Sequence, residues 1–316
     1  MARVLVIAAL LAGIGSFACA PAAPQRTIVQ QVRAEITKGD FAAVDALLAG
    51  YRADKGITPE WLEAYSWIGR GHLAAKRLDE AERYANETYE MTSDALKTRP
   101  MDQEPRLPIA YGAAVEVLAQ VAAARGARSE ALVMLEHELQ THGATSIAKR
   151  LQKNVNLLSL EGTKAPAIVA TDYLGSQPPT LDDLQGKVVV LFFWAHWCAD
   201  CKRMAPVLAE LDARYRDKGL AIYAPTQRYG YVAGGKDASP EDERAYIDRV
   251  RLEQYPVLAA QSVPLDAANH LRYGVSTTPT LVLVDREGII RLYHPGQMTL
   301  DELGPRIAAL LGSAAG

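Results

Sequence analysis

The chain has 316 residues, 49% hydrophobic and 22% charged, with 34 Lys and Arg against 37 Asp and Glu for a net charge of −3. That length suits two domains of roughly 100–200 residues, each able to bury its own core. The near-neutral balance excludes nucleic acid as the partner, which needs clustered Lys and Arg, and the composition excludes collagen-like, disordered and disulfide-scaffold chains.

Residues 1–23 read as an export signal: Arg3, an apolar run from Val4 to Ile14, then small residues up to Ala23. The run is short of the roughly 20 residues that span a bilayer, and no other stretch comes close, so no transmembrane helix is expected after processing. Cleavage fits after Ala18 or Ala22, and less well after Ala20, which Pro21 follows. The alternative is lipid attachment at Cys19. Ser16-Phe17-Ala18-Cys19 departs at two of three places from a lipoprotein box resembling Leu-Ala-Gly-Cys. Membrane contact is expected only in that case. The Pro- and Ala-rich segment 19–24 serves as a tether under either reading.

Residues 24–160 form the expected all-helical domain, rich in Ala, Leu, Glu and Arg at helical spacing. Helices are predicted at 27–38, 41–54, 59–75, 79–97, 107–124, 129–141 and 145–158, separated by Gly and Pro breakers. Gly39-Asp40-Phe41, Lys76-Arg77-Leu78 and Gly126-Ala127-Arg128 each open the second helix of a pair, at offsets of 37 and 50 residues. The first offset is near the tetratricopeptide period. A degenerate tetratricopeptide-like solenoid is the reading, with an unspecific helical bundle as the alternative. Trp61, Trp67 and the tyrosines of this half read as core.

Composition changes in residues 161–316. Val188–Phe193, Leu220–Ala224 and Thr280–Val284 are short apolar runs of the kind buried on both faces of a sheet. Helical patterns at 201–216, 240–253, 265–272 and 299–311 alternate with or follow them. The alternation predicts an α/β domain with a covered, mainly parallel sheet. Ile289–Tyr293 follows the last run through Arg286-Glu287-Gly288, which predicts an antiparallel hairpin.

Three cysteines are too few for a disulfide framework, but Cys198 and Cys201 form a C-x-x-C at a strand-to-helix junction, the pattern of a redox dithiol. This spacing puts Cys198 at the helix N-terminus with an exposed sulfur and Cys201 one turn on, beneath it. The helix terminus favours the Cys198 thiolate by up to about 2 kcal/mol. Cys198 is therefore the expected nucleophile and Cys201 the resolving thiol. Asp200 opposes the thiolate and Lys202 and Arg203 support it, so the net direction stays open.

The stretch 162–311 resembles the thioredoxin superfamily, specifically its exported TlpA/ResA-like disulfide oxidoreductases. The resemblance is carried by Ala165-Pro166, Gly186–Val190, Phe193-Trp194-Ala195-His196-Trp197-Cys198-Ala199-Asp200-Cys201, Pro206, Tyr273-Gly274-Val275, Thr278-Pro279-Thr280 and Asp285–Gly288. It implies a thioredoxin-like domain, with a central mixed sheet flanked by helices, and a redox centre made of the Cys198–Cys201 disulfide without further cofactor or metal. It also implies a cis-proline at Pro279, backbone pairing of Thr278 with a substrate strand, and Trp197 as part of the site. A protein thiol or disulfide is the implied substrate, an upstream electron donor is required, and the helical domain is left to bind a partner.

Three departures matter. The family's frequent proline before the second cysteine is Asp200, and the buried Asp that thioredoxins carry six residues before the first cysteine is Phe192. Many relatives place a Glu in the loop after the next strand, whereas Thr226-Gln227-Arg228-Tyr229 has none. The proton acceptor for Cys201 is thus unassigned. His196 reads as solvent-facing, with tuning of the thiols as the alternative. His137 and His142 read as surface residues, since five positions on a helix set them about 140° apart, unsuited to zinc. A thiol peroxidase would need Thr where Ala195 stands, and a redox-inert adaptor would not need the cysteine pair.

Overall fold

The computed structural model describes residues 26–312. The leader and Cys19 lie outside the described residues. Seven helices come first: α1 (Ile28–Lys38), α2 (Phe41–Lys55), α3 (Pro59–Ala74), α4 (Leu78–Leu96), α5 (Arg106–Ala124), α6 (Arg128–His142) and α7 (Ala148–Ser159). Their starts follow from local chemistry. Thr27 and Gln30 form a reciprocal capping box on α1, Asp40 caps α2, and Thr58 caps α3 just ahead of Pro59. Neighbouring helices pair, and α1, α3, α5 and α7 also pack in succession, so the odd-numbered helices share one face of the stack.

Helix α5 corrects one expectation. Its length and composition would suffice to cross a membrane. Its apolar side chains are instead taken up by the neighbouring helices, and Leu107, Ala110, Ala113, Val115 and Val117 are buried.

The sheet half contains β1 (Tyr173–Leu174), β2 (Val188–Phe193), α8 (Ala199–Arg203), α9 (Ala205–Tyr215), β3 (Leu220–Tyr223), α10 (Pro240–Gln254), α11 (Pro256–Ala259), β4 (Val263–Pro264), α12 (Ala267–Arg272), β5 (Thr280–Val284), β6 (Ile290–Pro295) and α13 (Leu300–Gly312). The main sheet runs β3-β2-β5-β6, and β1 pairs with β4 in a separate two-stranded ribbon. Within the main sheet β2 and β3 are parallel, and β5 runs antiparallel to both β2 and β6. The sheet is mixed, not mainly parallel. Apolar runs report burial on both faces, and burial does not depend on strand direction.

Alternation along β2 builds two cores. Val188, Val190 and Phe192 join Leu208, Ile247, Leu303 and Ile307 of α9, α10 and α13, while Val189, Leu191 and Phe193 join Tyr273, Tyr293 and Leu160. The apolar clusters of the helical half are separate from these.

The predicted 201–216 helix is broken at Met204 into α8 and α9. Pro206 lacks the N–H that would bond to the Lys202 carbonyl, so the first turn cannot continue straight.

A tight seam joins the halves. Gly274 has φ +60°, and a Cβ there would lie 2.3 Å from the backbone nitrogen of Lys153 in α7. Only a glycine permits both that conformation and that approach. Lys149 Nζ donates to Gln227 Oε1 across the seam at 3.1 Å, and Asn156 Nδ2 donates to the Arg272 carbonyl at 3.4 Å.

Candidate active site

β2 delivers the chain into the loop Trp194–Trp197, which the adjacent strand end pins in place. The Trp194 indole donates to the Ala224 carbonyl (3.0 Å), and the Thr226 hydroxyl donates to the Trp194 carbonyl (2.7 Å). Cys198 then caps α8, and its Sγ accepts the Cys201 N–H at 3.0 Å. Cys198 and Cys201 are joined as a disulfide with Cα atoms 5.2 Å apart.

The peptide Thr278–Pro279 is cis, and the Thr278 carbonyl oxygen lies 3.4 Å from Cys198 Sγ. Cys198 therefore meets a donor and an acceptor together. The Cys201 amide stabilises a thiolate, whereas the Thr278 carbonyl accepts from a thiol, so the site accommodates both protonation states of an exchanging sulfur. The exposed sulfur expected for Cys198 is not found: the residue is 3% exposed and Cys201 0%. Its sulfur is tied to Cys201 and lies against Thr278. Trp197, 48% exposed, is the side chain presented outward, and its ring meets Tyr229 edge-on at 5.5 Å.

A model of the AhpC/TSA family matches residues 161–293. The thioredoxin-like protein YneN of Bacillus subtilis is 31% identical over 147 residues, covering 46% of this chain and 78% of that protein. The thiol-disulfide oxidoreductase ResA of Geobacillus kaustophilus is 32% identical over 142 residues, covering 45% and 73%. The chain belongs to the ResA-like thiol-disulfide oxidoreductases of the thioredoxin superfamily. Among solved structures, the thioredoxin domain of a thiol-disulfide oxidoreductase from Bacteroides vulgatus is 25% identical, covering 48% of this chain and 98% of that one, with a TM-score of 0.36.

In this ResA-like protein a carboxylate that the sequence reading did not single out approaches the dithiol loop from the expected helix at 240–253. Glu243 of α10 is 1% exposed. Its Oε1 accepts from the Tyr229 amide (2.5 Å) and from His196 Nε2 (3.2 Å), and its Oε2 accepts from the Gly230 amide (2.8 Å). The loop after β3 carries no Glu of its own, and α10 brings one to it.

His196 is not solvent-facing. It is fully buried, ringed edge-on by Tyr229, Tyr231 and Tyr246 at 5.3–5.6 Å. Burial pushes its pKa below the ordinary histidine value; Glu243 pulls it up and Lys202 pushes it down. The imidazole is neutral near pH 7, with Nε2 donating to Glu243.

The signal for Glu243 was in the sequence. Glu243, Ile247 and Val250 fall at i, i+4 and i+7 on the buried face of α10, so a charge stood in an apolar stripe.

Trp67 packs against the core of the helical half, and its ring also meets arginines. It is only partly buried, and its ring lies between the Arg33 and Arg70 guanidinium groups at 4.4 and 4.7 Å. His137 is exposed, but His142 is half-buried and packs edge-on against Tyr111 at 5.2 Å. Among the described residues, no three His, Cys, Asp or Glu side chains converge as a metal site.

Proposed function

We propose that this protein is an extracytoplasmic oxidoreductase that reduces protein disulfides through Cys198 and Cys201, with the helical domain 24–160 engaging a protein partner and 161–316 carrying the chemistry. One observation supports the reading above others: the Cys198–Cys201 disulfide caps a helix against the Thr278–Pro279 segment. Cys198 thiolate attacks a substrate sulfur, breaking the substrate S–S bond and forming a mixed disulfide. Cys201 thiolate then attacks Cys198 Sγ, expelling the substrate thiolate and closing the Cys198–Cys201 bond. An external dithiol donor returns two electrons, so the disulfide itself is the redox centre.

Thr278 and Pro279 line the place where a substrate strand would lie, and Trp197 offers it an apolar face. A thiol peroxidase is disfavoured by Ala195, which is buried and has no hydroxyl to orient a peroxide. Export rests on the leader at 1–23.

The test is trapping. Cys201→Ser should abolish insulin reduction and accumulate substrate bonded to Cys198, and Cys198→Ser should abolish both. Peroxide consumption without insulin reduction would overturn the reading. A reduction potential below about −200 mV supports a reductase, and one near about −120 mV reverses the direction. Intact mass should lack Met1 to at least Ala18, and a diacylglycerol addition would move the protein to the membrane surface through Cys19.

A further inference from the structure

The odd-helix face of the stack does not end as a smooth surface where it meets the sheet half. It forms a cleft of about 670 Å³ lined by α3, α5 and α7, with Ser276 and Thr277 as its far wall. Its charges do not balance. Glu116 Oε2 alone faces Lys153 Nζ (3.0 Å), Arg150 Nε (3.7 Å) and Arg70 Nη2 (3.8 Å). The neighbouring acids Glu63 and Glu60 sit on Arg106 at 2.6 and 3.6 Å, and Glu63 reaches Arg70 and Arg150 only at longer range. Three cations thus have one carboxylate in direct contact in a largely desolvated place, where each surplus charge is costly.

Two further donors lack acceptors. Arg70 Nε and Trp67 Nε1 are buried, and no described residue accepts a hydrogen bond from either. Burial and the adjacent Arg150 push the Arg70 pKa down to about 10, as expected where positive charge is in excess. The group that completes this set carries negative charge and acceptors but no donors, which describes a carboxylate.

Position indicates where that carboxylate comes from. Ser276 and Thr277 are exposed and immediately precede Thr278, whose carbonyl oxygen is 3.4 Å from Cys198 Sγ. Consecutive Cα atoms are about 3.8 Å apart, so the cleft begins within a few residues' span of the reacting sulfur. A polypeptide held at Cys198 through its own cystine has its flanking residues over this wall.

We propose that the cleft receives an Asp or Glu side chain of the polypeptide whose disulfide Cys198 reduces, and so selects substrates with acidic residues flanking the target cysteine. The inference rests on the dithiol reading above and adds the substrate class. Inorganic phosphate could satisfy the same donors, and the test separates the two.

Two cystine peptides are compared on the full-length protein, identical except for Asp and Glu against Asn and Gln on both sides of the target cysteine. The acidic peptide should have a kcat/KM about tenfold higher, expressed in KM, because the contact is the same in ground and transition states. Arg70→Gln with Lys153→Gln should bring the ratio of the two peptides to near one. Glu116→Gln, which removes the competing carboxylate, should widen it. This opposite response keeps the proposal testable if the double variant does not fold.

A ratio near one in the wild type overturns the proposal, as does a ratio unmoved by either set of substitutions. Inorganic phosphate that binds the cleft yet leaves the peptide ratio unchanged assigns the cleft to free anions and also overturns it. Failure to reduce either peptide or insulin sinks the dithiol reading instead; insulin reduction without peptide preference sinks only this one.

Discussion

His196, two residues upstream of Cys198, has its Nε2 3.2 Å from Glu243 Oε1, with 0% and 1% of the two side chains exposed. The carboxylate holds three N–H donors and the imidazole beside it is neutral, so the pair carries net negative charge toward the dithiol loop. That charge opposes a thiolate on Cys198.

Glu243→Gln should therefore make Cys198 a stronger acid. A unit charge acting on the thiol through an effective dielectric between about 20 and 80 is worth on the order of 1 kcal/mol, or somewhat under one unit in thiol pKa. The check is the pH dependence of iodoacetamide labelling of the reduced protein. Its midpoint should move down in Glu243→Gln, whereas a purely structural glutamate would leave it in place or broaden it.

Much of this arrangement was legible in the residues, and the misses have physical causes. Helix boundaries were readable because caps and breakers such as Thr27, Asp40 and Gly39 act locally. The C-x-x-C was readable because its spacing is itself the chemistry. Strand direction was not, since β5 returns to the sheet only after the long excursion through α10, α11 and α12. The burial of His196 depends on Glu243, 47 residues away, and on three tyrosines that arrive with the same excursion. Trp67 has the periodicity of a core residue, and only the stacking of α1, α3, α5 and α7 reveals that its face meets arginines.

The seam gives a second prediction. Gly274→Ala places a Cβ against the Lys153 backbone in a left-handed conformation that alanine disfavours. The conformation costs about 1–2 kcal/mol and overpacking typically a further 1–3. Backbone cannot swing aside as a side chain could, so the halves should part. Limited proteolysis near residues 159–165 should accelerate in the variant. Unchanged cleavage would mean that α7 and the 273–277 segment are not held together in solution.

Trp197 supplies a third. It is the large apolar side chain left half-exposed beside the disulfide, and its loss leaves little core unfilled. Covering its exposed face with substrate is worth about 1–2 kcal/mol. Trp197→Ala should raise KM for protein disulfides about five- to thirtyfold, with kcat and the urea midpoint little changed. A fall in kcat at unchanged KM would place the ring in the exchange step and not in substrate binding.

Acid should destabilise the sheet half well before its carboxylates protonate. His270 is fully buried, and it meets Phe193 edge-on at 5.5 Å. Burial, reinforced by the nearby Lys149 charge, pushes its pKa down to about 3. The unfolded chain binds this proton near pH 6.5, whereas the folded chain does not until about pH 3. Between those values the unfolded state holds more protons, so stability falls as pH falls, by about 1.4 kcal/mol per pH unit for one such group. His196 is lowered too and adds in the same direction. The carboxyl of Asp285 also sits below its ordinary value: burial raises it, but hydrogen bonds from Ile289, Arg291 and Glu287 outweigh that. Its contribution is lost only at lower pH, as the pH falls toward its folded value. His270→Leu removes the titration. Urea unfolding followed by tryptophan fluorescence at pH 7, 6 and 5 should show a wild-type decline that is shallower in the variant by about one proton's slope. Parallel declines would mean that His270 takes up its proton in the folded protein as readily as in the unfolded chain.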